Sequence, residues 1–289
     1  MTNKEELMET KTLKEATTLL FNRISNGRDC IFTQEAMTGC VASEYDSLGK
    51  SGRQETYEKI AEDFKRRTGY YSSNHSKTSY KAGSILEVGC GSGLLTLELA
   101  EQTESDNIIG LDISEDMIKL AQSNLTRKSV ENHALSDKIT YLNGNVYDLQ
   151  NIGLQNIDFI VCRNALHRFQ YPEKALKQMY QVLSPGGKLY IRDLRRDANW
   201  QIVLERIGEK RWQTKTLVED YIGAMASMLT TKELEKTLRS LGITSFDITD
   251  GRYINGEIKN PSNIKEYERD SEYVCVIRKR KIADGDKHD

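Results

Sequence analysis

The chain has 289 residues, of which 41 are Lys or Arg and 43 are Asp or Glu, giving a formal net charge of −2. That balance excludes binding nucleic acid through bulk charge, and a hydrophobic content of 38% supplies the core of one large domain or one domain with appendages. No apolar run approaches the roughly 20 residues that span a bilayer. The opening MTNKEELMETKTLKE lacks the apolar stretch of a secretory leader. The five scattered cysteines (Cys30, Cys40, Cys90, Cys162, Cys275) form no CxxC pair, so reduced thiols and a cytoplasmic location are expected.

Residues 1–81 read as a polar, helical N-terminal cap. Tyr57, Ile60, Ala61 and Phe64 make a helix-spaced apolar stripe, and Leu13, Ala16, Leu20 and Phe21 a weaker one. The Gly- and Ser-containing stretch from Gly39 to Gly52 between them has no clear period, and Tyr70 to Lys81 reads as a loop. From 84 to 193 short β-type runs alternate with helical ones: SILEV, LLTLELAEQ, NIIGLD, SEDMIKLAQSNL, KITYLN, IDFIVCR, a helix from about Pro172 to Leu183, and KLYIRDL after an SPGG turn. This alternation predicts an α/β domain over 82–281 with a mostly parallel sheet and helices on both faces. Ser114 ahead of two acids, and Pro172 in a first turn, mark helix starts. A helical insert follows over 198–230. Then come a helix capped by Thr230 or Thr231 and stopped by Gly242, two β-type runs (ITSFDIT and EYVCVIRKR), and a tail over 282–289.

The most informative segment is Glu87-Val88-Gly89-Cys90-Gly91-Ser92-Gly93, where an apolar strand enters three alternate glycines and then a helix. Glycines let the backbone turn sharply and let a ligand approach the main chain, and the new helix aims free N–H groups at it. Leu94 and Leu95 after Gly93 break the dinucleotide pattern GxGxxG. Glu87 would repel a diphosphate and suit a ligand carrying an ammonium and a sulfonium. Asp112, nineteen residues after Gly93, closes the next strand, where a carboxylate can accept hydrogen bonds from ribose hydroxyls.

With these residues the chain resembles the class I S-adenosylmethionine-dependent methyltransferases, in the small-molecule branch of ubiquinone and menaquinone C-methyltransferase-like proteins. The resemblance covers residues 82–195 and more loosely 231–280, and includes CRNALHRF and VLSPGGKLYIRD. It implies a Rossmann-like seven-stranded sheet of order 3-2-1-4-5-7-6 with the last strand antiparallel, and S-adenosylmethionine as cofactor. On the same resemblance Glu87, Gly89, Cys90, Gly91 and Gly93 hold the methionine end. Asp112 takes the ribose, with Ile113 beside the adenine. Asn145 and Val146 meet the adenine amino edge, and the backbone around Cys162 and Arg163 meets the ammonium. Asn145 stands where the family usually has Asp, which keeps a carbonyl acceptor and loses the charge; Asp148 is a candidate substitute.

Transfer from a sulfonium needs mostly orientation and desolvation. A base is needed only when the nucleophile holds a proton, and His167 is the candidate for that role. Tyr45, in the region that would form a lid, and Arg195 and Arg196, after the fifth strand, are candidate substrate contacts. No metal site is expected. The expected partner is a small-molecule acceptor methylated on O, N or C, with no nucleic acid, and the chain is a monomer or homodimer. Competing readings are a cofactor-binding protein without catalysis, a cyclase or lyase on the same fold, and an NAD(P)-dependent oxidoreductase.

Overall fold

The structure, a computed structural model, describes residues 36–51, 54–70, 83–198, 217, 220, 223–224, 226–250 and 272–281. The chain order is α1 (Gly39–Lys50), α2 (Gln54–Thr68), β1 (Ile85–Val88), α3 (Leu94–Gln102), β2 (Ile108–Asp112), α4 (Glu115–Ser129), α5 (Ala134–Lys138), β3 (Ile139–Asn143), β4 (Ile157–Arg163), α6 (Pro172–Val182), β5 (Leu183–Leu194), α7 (Thr231–Ser240), β6 (Phe246–Asp250) and β7 (Glu272–Arg278). The strands form one sheet of order β3-β2-β1-β4-β5-β7-β6. Pairing is parallel from β3 to β5, and β7 runs antiparallel to both β5 and β6. This is the Rossmann-like order that the resemblance implies.

Side chains alternate between two cores because successive strand residues face opposite sides of a sheet. Leu189, Ile191, Tyr273 and Cys275 pack with α6 and α7 on one face. Tyr190, Val274 and Val276 pack with α2 and α3 on the other. The stripe Tyr57, Ile60, Ala61 and Phe64 is buried there as its spacing predicts. Asp63 beside it is also fully buried. Its carboxylate accepts from Arg67 Nε at 2.9 Å within α2 and from the Tyr190 hydroxyl of β5 at 2.8 Å, so a charge-assisted hydrogen bond docks α2 on the sheet as well as apolar packing.

Several helix signals act as read. Ser114 accepts from the Met117 N–H, Pro172 opens α6, and Thr230 with Glu233 forms a capping box. Two expectations are corrected. Gly39–Lys50 is a helix, not an aperiodic stretch. Its buried side mixes Ala42 and Leu48 with Asp46 and Gly49, so its inward face is not a continuous apolar stripe, and a Cβ at Gly49 would come within 2.6 Å of Leu94 Cδ1. The SPGG turn is also part of β5, which runs unbroken from Leu183 with a register shift against β4 near Ile157 and Phe159. The stripe at Leu13–Phe21, Cys30, the tail and the expected loop apart from Tyr70 lie outside the described residues. Among the described residues, no helix is long and apolar enough to cross a membrane.

Candidate active site

The carboxyl ends of β1, β2 and β4 open into one cavity beneath α1 and α2. Ligands in open α/β sheets lie at this edge, near the switch in strand order. The β1 ladder runs on past the strand, with the Gly89 and Cys90 N–H groups both donating to the Leu111 carbonyl. The chain then turns. Gly89, Cys90 and Gly91 line the cavity. Gly91 has φ +54°, and a Cβ there would project into space with only the Met117 sulfur, at 4.0 Å, nearby. Gly93 is behind the wall. It caps α3 at φ +76°, where a Cβ would overlap the Tyr141 hydroxyl.

Glu87 is 2% exposed at the floor of this turn. Burial pushes its carboxyl up to about 8, against the Thr96 hydroxyl that donates to it and the positive charge of Arg163. Asp112 lines the same cavity from β2. Its Oδ2 accepts from the Gly91 N–H at 2.8 Å and its Oδ1 from the Ser114 N–H at 2.9 Å. Burial raises its carboxyl too, and these two N–H groups oppose the rise. Two desolvated acids at adjacent strand ends suit a cationic, hydroxyl-bearing ligand and oppose a diphosphate.

Ile113, 37% exposed, and Val146 and Asn145 form the next stretch of wall. The Asn145 Oδ1 accepts from the Tyr147 N–H at 2.9 Å, capping the short turn Val146–Asp148. Its carbonyl therefore has a structural task that leaves one lone pair for a ligand. Asp148, the candidate substitute, is exposed, bonds Asn151, and is not on the wall.

The opposite wall comes from α1, α2 and the turn after β4. Met37, Tyr45, Tyr57, Arg163, Asn164 and Arg168 line it. The Arg163 guanidinium lies over the Tyr57 ring at 5.4 Å. Arg168 reaches Asp220 with both arms, at 3.0 and 2.6 Å, and Tyr45 donates to the same carboxylate at 2.5 Å. Burial pushes Asp220 up, but the Arg168 charge, its hydrogen bond and the Tyr45 hydroxyl outweigh it and hold the carboxyl below its ordinary range. The described residues between 217 and 227 are helical. This cluster therefore ties α1, the turn after β4 and the insert together at the cavity rim. Nothing in the sequence pattern marked Asp220; only proximity in the fold does.

The structure does not bring the other candidates to the wall. His167 lies in the turn Leu166–Arg168 with its side chain 4% exposed, and its Nδ1 is 2.6 Å from Asp193 Oδ1. Its own N–H donates to Asp193 Oδ2, and Ser227 donates to its carbonyl. Arg195 pairs with Asp197 at 2.9 Å, and Arg196 with Glu233, itself the capping residue of α7. These arginines tie down the start and end of the insert, and neither lines the cavity.

The sheet order and an acid-bearing glycine turn followed by an acid on the next strand define a class I S-adenosylmethionine-dependent methyltransferase. The chain belongs to the methyltransferase-domain family, which matches residues 79–254. It is 28% identical over 178 residues to a ubiquinone biosynthesis O-methyltransferase of Coxiella burnetii, covering 60% of this chain and 68% of that one. It is 30% identical over 149 residues to a demethylmenaquinone methyltransferase of Symbiobacterium thermophilum, covering 51% and 53%. Among solved structures, the plantazolicin methyltransferase BpumL in complex with S-adenosylhomocysteine shares the fold, with a TM-score of 0.63 at 19% identity over 95% of this chain and 100% of that one.

Proposed function

We propose that this protein methylates O, N or C of a small-molecule acceptor held between the cofactor and the lid formed by α1 and α2. The observation that carries this reading is a cavity with buried Glu87 and half-buried Asp112 on one wall and tyrosines and arginines on the other. The quinone methyltransferases among its relatives support a small-molecule acceptor. The free thiols Cys90, Cys162 and Cys275 fit a reducing, cytoplasmic setting.

When bound, S-adenosylmethionine supplies an activated methyl group. Glu87 and the glycine turn hold the cationic methionine end, Asp112 accepts from the ribose hydroxyls, and Ile113 and Val146 flank the adenine. Tyr45, Tyr57 and the Arg168–Asp220 pair exclude water from the reacting atoms. Asp112→Ala weakens S-adenosylmethionine by at least ~1.5 kcal/mol, because a charged acceptor is lost. Asp112→Asn, which retains an acceptor, loses less. Titration calorimetry on both variants checks this, and an unchanged affinity in Asp112→Ala places the ribose elsewhere.

His167 is assigned a positioning role instead of the base role its sequence context raised. Its side chain is buried away from the cavity wall, and the contact of its Nδ1 with Asp193 fixes the turn that carries Ala165 and Arg168 onto the wall. His167→Asn can still donate to Asp193, so turnover stays within a few-fold of the wild type, while His167→Ala drops further. A loss beyond a hundredfold in His167→Asn, with the affinity for cofactor intact, restores the base. Labelling metabolite pools with a radioactive methyl donor tests the reaction itself: an acceptor labelled only by active protein supports it, and tight binding with no labelled acceptor favours a non-catalytic binder.

A further inference from the structure

The cavity wall carries two arginines, and they stand in opposite electrostatic situations. Arg168 is neutralised by Asp220 through a two-armed contact. Arg163 has no carboxylate within ion-pair distance among the described residues. Its Nε is buried and makes no hydrogen bond, while the plane of its guanidinium is held over Tyr57. Glu87 feels its charge without bonding it. The next residue, Asn164, also lines the cavity. It is held at φ +49°, and its buried Oδ1 has no partner either. Arg163 is half-buried, and its Nε is shut off from water with no partner and no counter-ion, which is costly, while a planar fork held in one orientation is the geometry that takes a carboxylate through two N–H groups.

We propose that the Arg163 side chain is the carboxylate receptor of this cavity, with Asn164 Oδ1 accepting from a donor on the same ligand. The inference rests on the reading of the cavity as the cofactor and acceptor site, and deepens it by giving the ligand an acidic group. Two sources supply that chemistry: the amino-acid end of the cofactor, or an acidic acceptor.

The test compares wild type, Arg163→Gln and Arg163→Lys, each checked for an unchanged melting profile. S-adenosylhomocysteine and 5′-methylthioadenosine, which lacks the amino-acid end, are titrated by calorimetry. Benzoate is titrated by saturation-transfer NMR against both the free and the S-adenosylhomocysteine-loaded protein. If the cofactor supplies the acid, Arg163→Gln weakens S-adenosylhomocysteine about 10- to 100-fold and leaves methylthioadenosine unchanged. If the acceptor supplies it, S-adenosylhomocysteine is unaffected, and benzoate binds loaded wild type but not loaded Arg163→Gln. Arg163→Lys keeps the charge without the fork and falls between. Equal binding of all three ligands by wild type and Arg163→Gln overturns the proposal. Wild type that binds neither nucleoside overturns the cofactor reading instead, and benzoate on the free protein still reports on Arg163.

Discussion

Glu87→Gln makes the ligand-free protein harder to unfold at pH 8 and, in the same molecule, poorer at holding S-adenosylmethionine. Both effects come from one buried carboxyl. Its ordinary value is 4.5, and burial takes it to about 8 in the folded protein. Between these values the folded state binds more protons than the unfolded state. The stability contribution of Glu87 therefore falls as pH rises from 4.5, and reaches its full cost above 8, roughly 5 kcal/mol. Gln carries no charge to desolvate and keeps an acceptor for the Thr96 hydroxyl. The gain should be absent at pH 4.5 and greatest at pH 8 to 9, read as the difference in denaturant midpoint.

The same titration governs binding. A cation placed beside Glu87 favours its ionised form, so cofactor binding at pH 7 drives a proton off this group. Affinity then rises from pH 6 to 8 in the wild type, and calorimetry in two buffers of different ionisation enthalpy reports proton release approaching one. Glu87→Gln abolishes both and weakens binding at pH 8 by about 1.5–3 kcal/mol, the range for a hydrogen bond to a charged partner. An unaltered pH dependence in Glu87→Gln would assign the proton to another group and remove Glu87 from the site. The opposition between stability and affinity is what a site built on a desolvated acid entails.

The wall built on the glycine turn was legible in the sequence because its parts are local. Glu87 through Gly93 occupy one strand–turn–helix joint, where residue type follows from backbone geometry, and Asp112 is one strand away. The lid half was not legible in the same way. Tyr45 and Arg168 were both visible as residues, but the group that joins them, Asp220, is 175 positions from Tyr45 and 52 from Arg168. No period or motif encodes that meeting. Gly39–Lys50 escaped pattern reading for a related reason. Its buried side carries Asp46, which accepts from Asn124 at 3.0 Å and pairs with Lys50, and Gly49, which makes room for Leu94. A helix that buries an acid and a glycine beside only Ala42 and Leu48 shows no continuous apolar stripe. His167, Arg195 and Arg196 lie in the neighbourhood that the sequence indicates, but none of their side chains lines the cavity. Strand-end position places a residue near the cavity, and the orientation of its side chain depends on partners such as Asp193, Asp197 and Glu233.

Asp220→Ala is expected to cost about 3–5 kcal/mol, the penalty for removing one member of a buried pair and leaving the other charge unpaired. Arg168 is 7% exposed and Asp220 15%, so water cannot fully replace the lost carboxylate. The depressed carboxyl of Asp220 means that the wild-type contribution persists above its ordinary value of 3.8 and is lost as pH falls through its lower folded value. Asp220→Ala and wild type should therefore converge in stability only in strong acid. At neutral pH the variant melts on the order of 10 °C lower, and the loosened cluster releases Tyr45 and Arg168 from the rim, so S-adenosylhomocysteine leaves faster in stopped-flow displacement. The pair Arg168→Met with Asp220→Leu separates the two consequences. Replacing both charges by apolar groups of similar size removes the unpaired-charge penalty and recovers most of the stability. The tie to the Tyr45 hydroxyl is not rebuilt, and fast release persists. If the double variant regains both stability and slow release, simple packing accounts for the lid, and the Tyr45–Asp220 contact has no separate part in retaining the ligand.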